Sequence, residues 1–276
     1  MTAQQPGAEQ DPAVTRSQAF ARGLLRVAVL PSVRHCDGYF DLLGASGPSH
    51  RSLAQRAMDS PIVASVYERI WRPIMVAIMR LHGVSISTER ERCAETLHLG
   101  GEQRVLDVAC GPGNFTGFFG DRLGEDGFVV GLDNSVAMMQ RAVRDNNSAR
   151  AVYMRADARS LPFHDCAFDV VCCFAALHLV PEPTAVLREM VRVLAPGGRI
   201  AVMTTYGRES FLIRKGLEYG AAICGVRVFN RTIVPESFVA AGLTDVDQKL
   251  RGVSQFVTAL RPELGDEFDT AMPGCR

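Results

Sequence analysis

Neither sign of charge prevails in the 276 residues: thirty Lys and Arg balance thirty Asp and Glu, for a formal net charge of zero. Without a chain-wide positive field nothing draws a phosphate backbone or an anionic membrane surface, which argues against nucleic acid as principal partner. No hydrophobic run is long enough to cross a bilayer; the longest, Val170 to Val180, is interrupted by His178. The N-terminus is polar and rich in Gln, Pro and Ala, where a secretory signal would be basic and then apolar, so neither signal peptide nor membrane anchor is expected. None of the eight cysteines (Cys36, Cys93, Cys110, Cys166, Cys172, Cys173, Cys224, Cys275) stands in Cys-x-x-Cys spacing, and several fall in apolar runs that read as core. A reducing, cytoplasmic setting fits that pattern best.

What is present suits one sizeable core plus an appendage: 47% of residues are hydrophobic and 22% charged. Residues 1–20 read as a disordered tail, and 21–84 as an N-terminal cap or lid segment. Within the latter, Leu53, Ala57, Ile62, Val66, Ile70, Ile74, Ala77, Ile78 and Leu81 recur at helical spacing, broken at Pro61 and Pro73. Thr88 followed by Glu91 has the spacing of a capping box for a helix running to Leu99, with Gly100-Gly101 as its stop.

Beyond Gly101 the pattern alternates. Arg104 to Ala109, Phe128 to Asp133, Ala151 to Ala156, Phe168 to Phe174 and Arg199 to Thr204 read as strands, with helical stretches near 115–123, 135–146 and 184–194. Strand and helix alternating at this interval predict a parallel sheet with right-handed crossovers. After a helix near Pro235 to Ala241 come two β-type runs, Thr244 to Arg251 and Ser254 to Leu260, whose short link at Gly252 permits only antiparallel neighbours.

The first strand runs into Asp107-Val108-Ala109-Cys110-Gly111-Pro112-Gly113-Asn114-Phe115. This puts a glycine turn at the carboxyl edge of the sheet, where open α/β folds bind ligands. Glycine at 111 and 113 permits close backbone approach to a ligand or a positive φ, although two glycines also suit a plain strand-to-helix turn. The third glycine of a dinucleotide fingerprint is replaced by Thr116, which weakens an NAD-type oxidoreductase reading and favours a ligand without a diphosphate. Asp133 closes the second strand 26 positions after Asp107; its carboxylate suits the two hydroxyls of a ribose, or else Asp133, Asn134 or Ser135 caps the next helix. Asp157 ends the third strand beside Ala158, placed to accept from an adenine amino group.

Taken in order, Asp107 to Asn114, Gly131-Leu132-Asp133-Asn134-Ser135, Ala156-Asp157-Ala158 with Leu161-Pro162-Phe163, Phe168-Asp169, Leu177-His178 and Arg192 to Gly198 resemble the successive motifs of class I methyltransferases, most of all the ubiquinone/menaquinone-biosynthesis type. The resemblance implies an S-adenosylmethionine cofactor and a Rossmann-like seven-stranded α/β sheet with an antiparallel last strand and helices on both faces. It spans a domain at residues 85–262, with a lid insertion at 206–234 and a C-terminal tail at 263–276. It places the methionine moiety by Asp107, Ala109, Gly111 and Gly113, the ribose at Asp133, and the adenine among Ser135, Met138, Asp157 and Ala158, with Cys110, Asn114, Phe115, Asn134 and Phe174 completing the pocket. The segment Ser60 to Arg72 also resembles a subgroup of bacterial and plastid methyltransferases that carry a zinc-ribbon-like element upstream. Here that stretch retains only Cys36, with His35 beside it, and four-ligand zinc binding has no support, so no metal is expected.

For the acceptor the expectations are broader. His178 follows the fourth strand, where an imidazole would either take a proton from the acceptor or serve as a packing histidine. Tyr67, Trp71 and Arg72 on the cap, with Tyr206 after the fifth strand, either line an acceptor pocket or pack helices. The mixed apolar and basic lid suits a small apolar acceptor such as a quinol, lipid or polyketide. Cys172 and Cys173 alternate faces of a strand and read as core. Two other readings stand beside the methyltransferase: an NAD-type oxidoreductase, and a non-catalytic nucleotide-binding protein.

Overall fold

The computed structural model describes residues 11–44, 86–206, 228–252 and 254–263. The helical cap expected within 53–82, including Tyr67, Trp71 and Arg72, lies outside the described residues, as does most of the expected lid.

The parallel core of the sheet consists of β3 (Arg104–Val108), β4 (Phe128–Asp133), β5 (Ala151–Arg155), β6 (Phe168–Phe174) and β7 (Leu194–Thr205). These runs of Val, Leu, Ile and Phe are buried along almost their whole length. Such runs suit strands covered by helices on both sides and would be unsustainable on a sheet with one wet face. The expected boundaries hold to within a residue except for β7, which begins at Leu194 rather than Arg199 because Leu194 pairs with Phe168 ahead of a register shift. β8 (Thr244–Arg251) and β9 (Ser254–Leu260) form the antiparallel pair, with β9 inserted antiparallel between β7 and β8.

Among the described residues the sheet has nine strands where seven were expected, in the order β1 (Arg34–Cys36), β2 (Tyr39–Asp41), β5, β4, β3, β6, β7, β9, β8. The two additional strands, β1 and β2, form a hairpin whose second strand adds parallel to β5. Their stretch combines two three-residue strands with no strong alternation, too short for a periodicity signal. The expected tail is also corrected, since α1 (Pro12–Gly23) is helical, with Asp11 accepting from the Ala13 amide at its N-cap. The crossover from β5 to β6, residues 156–167, contains no helix. Its place over β4 and β5 is taken by α1, which buries Ala21, while the chain just after it pairs through Leu25 with Phe163. An N-terminal segment therefore completes a layer that the sheet's own connections leave open.

The other helices are α2 (Ile86–Thr96), α3 (Asn114–Gly120), α4 (Val136–Asp145), α5 (Pro183–Val193) and α6 (Ile233–Ala240). On one face α2, α3 and α4 bury Leu97, Phe119 and Met139; on the other, α1, α5 and α6 bury Ala21, Met190 and Phe238. Each large apolar side chain so enclosed contributes about 1.5–3 kcal/mol. Cys172 and Cys173 fall in opposite cores, as strand alternation requires. α2 starts two residues before Thr88, so Thr88 and Glu91 lie inside it and not at a capping box. Its stop is not Gly100-Gly101 but His98, at φ +52, with the Leu99 amide reaching Ala94 O and the His98 amide Glu95 O, a Schellman closure. Cys36, Cys93, Cys110, Cys172 and Cys173 are free thiols, and Cys166 is disulfide-bonded. No helix among the described residues is long and apolar enough to cross a membrane.

Candidate active site

β3 has β4 on one side and β6 on the other, so chain direction across the sheet reverses at β3. The crevice at its carboxyl end is the place where ligands of open α/β sheets sit. Ala109 and Ala175, at the ends of neighbouring strands there, both adopt positive φ of 55°. For residues carrying a Cβ this conformation costs about 1–2 kcal/mol.

Asp107 and Asp133 point to the α3/α4 side of the sheet, the side opposite Leu106, Val108 and Leu132. Asp107 is 2% exposed. Its Oδ2 accepts the Thr116 hydroxyl at 2.6 Å, and the Cys172 thiol lies 3.8 Å from Oδ1. Burial pushes the Asp107 carboxyl up to about 7, outweighing the Thr116 bond, which favours the ionised form. A carboxyl so placed is poised for a cationic ligand group to restore its charge.

Asp133 is held by two backbone amides, Gly111 N–H to Oδ2 at 3.0 Å and Ser135 N–H to Oδ1 at 2.9 Å. The capping alternative falls to Ser135, whose hydroxyl accepts from the Met138 amide at the start of α4. Asp133 thus ties the glycine turn to the end of β4, and Cys110 N–H to Leu132 O adds a second tie.

The two glycines serve different ends. At Gly111, φ is +56° and an added Cβ would meet nothing within 4 Å, so the turn opens onto space on that side. At Gly113, φ is +77° and an added Cβ would lie 2.6 Å from the Tyr153 hydroxyl. Only Gly111 therefore matches the idea of a backbone cleared for a ligand; Gly113 is cleared for Tyr153, whose hydroxyl donates to Asn146 O. Thr116, at the place of a third glycine, sits over Gly131, where a Cβ would come within 2.8 Å of it. The glycine that a dinucleotide turn places on the helix is displaced here to the adjoining strand.

Asp157 departs from the expected picture. Arg159 grips it through its amide at 2.9 Å and its guanidinium at 2.7 Å, and reaches on to Glu182. Burial would push the Asp157 carboxyl up, but the Arg159 bonds prevail and hold it below the ordinary carboxylate range. Of the three strand-end acids, two are linked around the glycine turn and the third belongs to an ion-pair triad. Met138 is buried and Ala158 half-buried at the flank of that region.

A wall of rings rises on the same side as Asp107. Phe115 and Phe174 lie 4.7 Å apart between ring centres, and Phe174 stacks on Phe256 at 6.0 Å with planes 16° apart. Phe256 escaped notice in the sequence because it reads as an ordinary strand residue. Its register opposite Met203, on an antiparallel strand whose first residues lie at the carboxyl edge of β7, brings it to the site. His178 is buried in a 3-10 turn, Leu177–Leu179, with its Nδ1 unpartnered, and burial lowers its pKa to about 4. Tyr206 bridges to Phe229.

Residues 106–202 match the methyltransferase-domain family. A ubiquinone/menaquinone biosynthesis C-methyltransferase of Idiomarina loihiensis is 40% identical over 105 residues, 36% of this chain and 41% of that protein. A 2-phytyl-1,4-naphtoquinone methyltransferase of Synechococcus elongatus is 37% identical over 116 residues, 41% of this chain and 50% of that protein. The matched stretch thus spans about half the length of these curated relatives. Among solved structures, an S-adenosylmethionine-dependent methyltransferase from Aquifex aeolicus superposes with a TM-score of 0.51 at 20% identity, covering 67% of this chain and 97% of that one. With the switch-point crevice, the glycine turn and the inserted β9, these likenesses show that residues 106–202 form a methyltransferase domain, similar in sequence to that of the ubiquinone/menaquinone methyltransferases and in fold to the solved methyltransferase.

Proposed function

We propose that this protein transfers the methyl group of S-adenosylmethionine to a small, flat, apolar acceptor of the quinol kind. The observation that carries the reading is the joint made by Gly111 and Asp133: a turn open to the crevice on one side, bonded to the carboxylate at the next strand end. In this reading Asp133 receives the ribose hydroxyls, and Asp107 faces the ammonium of the methionine end. Asn134, Ser135 and Met138 flank the adenine, with Asp157 and Ala158 at its amino group. Arg159 then shares Asp157 with the adenine or yields it.

The transfer is an in-line displacement. An electron pair of the acceptor would form the new bond to the methyl carbon as the carbon–sulfur pair stays on sulfur as a neutral thioether, and the acceptor's proton would pass to water. The protein's part is alignment and the exclusion of water. Phe115 and Phe256, half-buried on either side of the buried Phe174, supply an apolar patch beside the cofactor crevice, and the quinone-linked names of the relatives support an apolar aromatic acceptor. An NAD-type site is disfavoured because Thr116 fills the position of the third glycine over Gly131.

Two measurements test the reading. Calorimetric titration should show binding of S-adenosylmethionine and S-adenosylhomocysteine and none of NAD(H). Incubation with methyl-labelled cofactor and a cell extract should then move label into the organic-soluble fraction. Preference for NAD(H) would sink the first step, and label confined to macromolecules would sink the proposed acceptor.

A further inference from the structure

The N-terminal hairpin lies outside the stretch that matches the methyltransferase-domain family, yet it delivers a charge into the edge of the nucleoside region. β2 pairs with β5 through two register positions, and the second sets Asp41 opposite Arg155. Both side chains are nearly enclosed, Arg155 at 6% and Asp41 at 11% exposure. One guanidinium nitrogen, Nη1, donates to both Asp41 oxygens at 3.1 and 2.9 Å and to Gly44 O at 2.9 Å. Asp41 Oδ1 also accepts the amides of Leu43 and Gly44, which fixes the carboxylate from its own side.

The other arm of the guanidinium points the opposite way. Arg155 Nε donates to Asn134 O at 3.1 Å, and Asn134 is the residue between Asp133 and Ser135. Asp133 in turn carries the Gly111 amide on Oδ2. A continuous path of hydrogen bonds therefore runs from the hairpin through Arg155 to the Asn134 peptide, next to the carboxylate that holds the glycine turn. A planar guanidinium can serve both ends because its donors lie in a rigid fork. A buried arginine without its carboxylate would be left as an uncompensated charge.

We propose that Asp41 and Arg155 are positioning residues for ribose recognition: the hairpin sets the Arg155 fork, and the fork sets the peptide that aims Asp133. This rests on the cofactor reading given above. Nothing in it requires either residue to touch the cofactor.

The test compares S-adenosylhomocysteine with its 2′-deoxyribose analogue by calorimetry on the full chain. The wild-type protein should prefer the ribose form by about tenfold or more, the worth of one charge-assisted hydrogen bond. In Arg155→Lys the charge beside Asp41 is kept while the Nε–H to Asn134 is removed. That variant, and Asp41→Asn, should bind the ribose form about tenfold more weakly while the deoxy form changes little, so that the preference collapses. If both ligands weaken by the same factor, the pair is only packing and the proposal is overturned. Should Asp41→Asn fail to fold, Arg155→Lys alone decides. A wild-type protein that binds neither ligand would overturn the cofactor reading itself, an outcome distinct from a preserved preference in the variants.

Discussion

The Thr116 hydroxyl donates to Asp107 Oδ2 at 2.6 Å across a gap that exists only because residue 131 is glycine. Thr116 is thus both the departure from a dinucleotide turn and, among the described residues, the side-chain hydroxyl bonded to the buried carboxylate. The pair sets how this site responds to pH. An unfolded aspartate ionises near pH 3.9, whereas burial pushes Asp107 to about 7. Between those values the folded protein keeps a proton that the unfolded chain releases. The associated stability is full below about pH 4 and is lost as pH rises through 7. The ligand-free protein should therefore lose thermal stability across this window, and Asp107→Asn should flatten that part of the profile in a melting series.

Cofactor binding should run the other way. In the proposed site the methionine ammonium would favour the ionised carboxylate, so affinity for S-adenosylhomocysteine should rise through pH 7, with proton release detectable as buffer-dependent heat. Thr116→Val removes a donor that stabilises the ionised form and should move the midpoint upward. A midpoint unchanged in that variant would mean that Asp107 does not govern the titration.

The two glycines of the turn should separate binding from folding. Gly111→Val meets open space, so its cost is the positive φ of 56°, about 1–2 kcal/mol, while the new methyls occupy the crevice. Cofactor binding should be abolished in a protein that still melts cooperatively. Gly113→Ala instead drives a methyl against Tyr153 and should lower stability well beyond that strain. If Gly111→Val bound normally, the turn would be misassigned.

The parts of the molecule that were legible in the sequence are those where one physical cause dominates. β4, β6 and β9 were readable to the residue because continuous or alternating apolar runs bounded by turns admit little else, and the mostly polar β8 because its short link at Gly252 ties it to β9. The glycine turn and Asp133 were readable because an acid at a strand end beside two glycines is a local pattern. What escaped depends on distant chain segments. Arg155 reads as the last polar residue of a strand, and only the arrival of Asp41, 114 residues earlier, shows that it bridges hairpin and site. The tie of Asp157 to Arg159 is local but competes with a ligand role that the sequence presents equally well. α1 was missed because its register is short and mostly polar, with Ala21 the one apolar residue of the helix fully buried.

His178 offers a sharper test than sequence position allowed. Its Nδ1 is buried without a partner and its pKa is lowered to about 4, so the ring is neutral at physiological pH. A neutral imidazole of that acidity is a weak general base but remains able to accept a hydrogen bond. If it removes the acceptor's proton, the kcat profile should rise with a midpoint near pH 4 and stay flat above pH 6. His178→Gln should then lower kcat about 100-fold or more without altering cofactor affinity. Unchanged turnover in that variant would leave His178 as a packing residue.

Asp133→Ala removes the proposed acceptor for the ribose hydroxyls and, with it, the partner of the Gly111 and Ser135 amides. Loss of a charged acceptor for two hydroxyls should weaken S-adenosylhomocysteine binding by about 1–3 kcal/mol. Because the Gly111 amide is also released, the glycine turn should loosen, and amide exchange at residues 109–113 should quicken in the ligand-free variant. Asp133→Asn separates the two effects. Its carbonyl can still receive one amide, so exchange at the turn should stay near the wild-type rate while the ribose loses its charged partner. Equal affinity in all three proteins would remove Asp133 from the site and leave it as a brace for the turn alone.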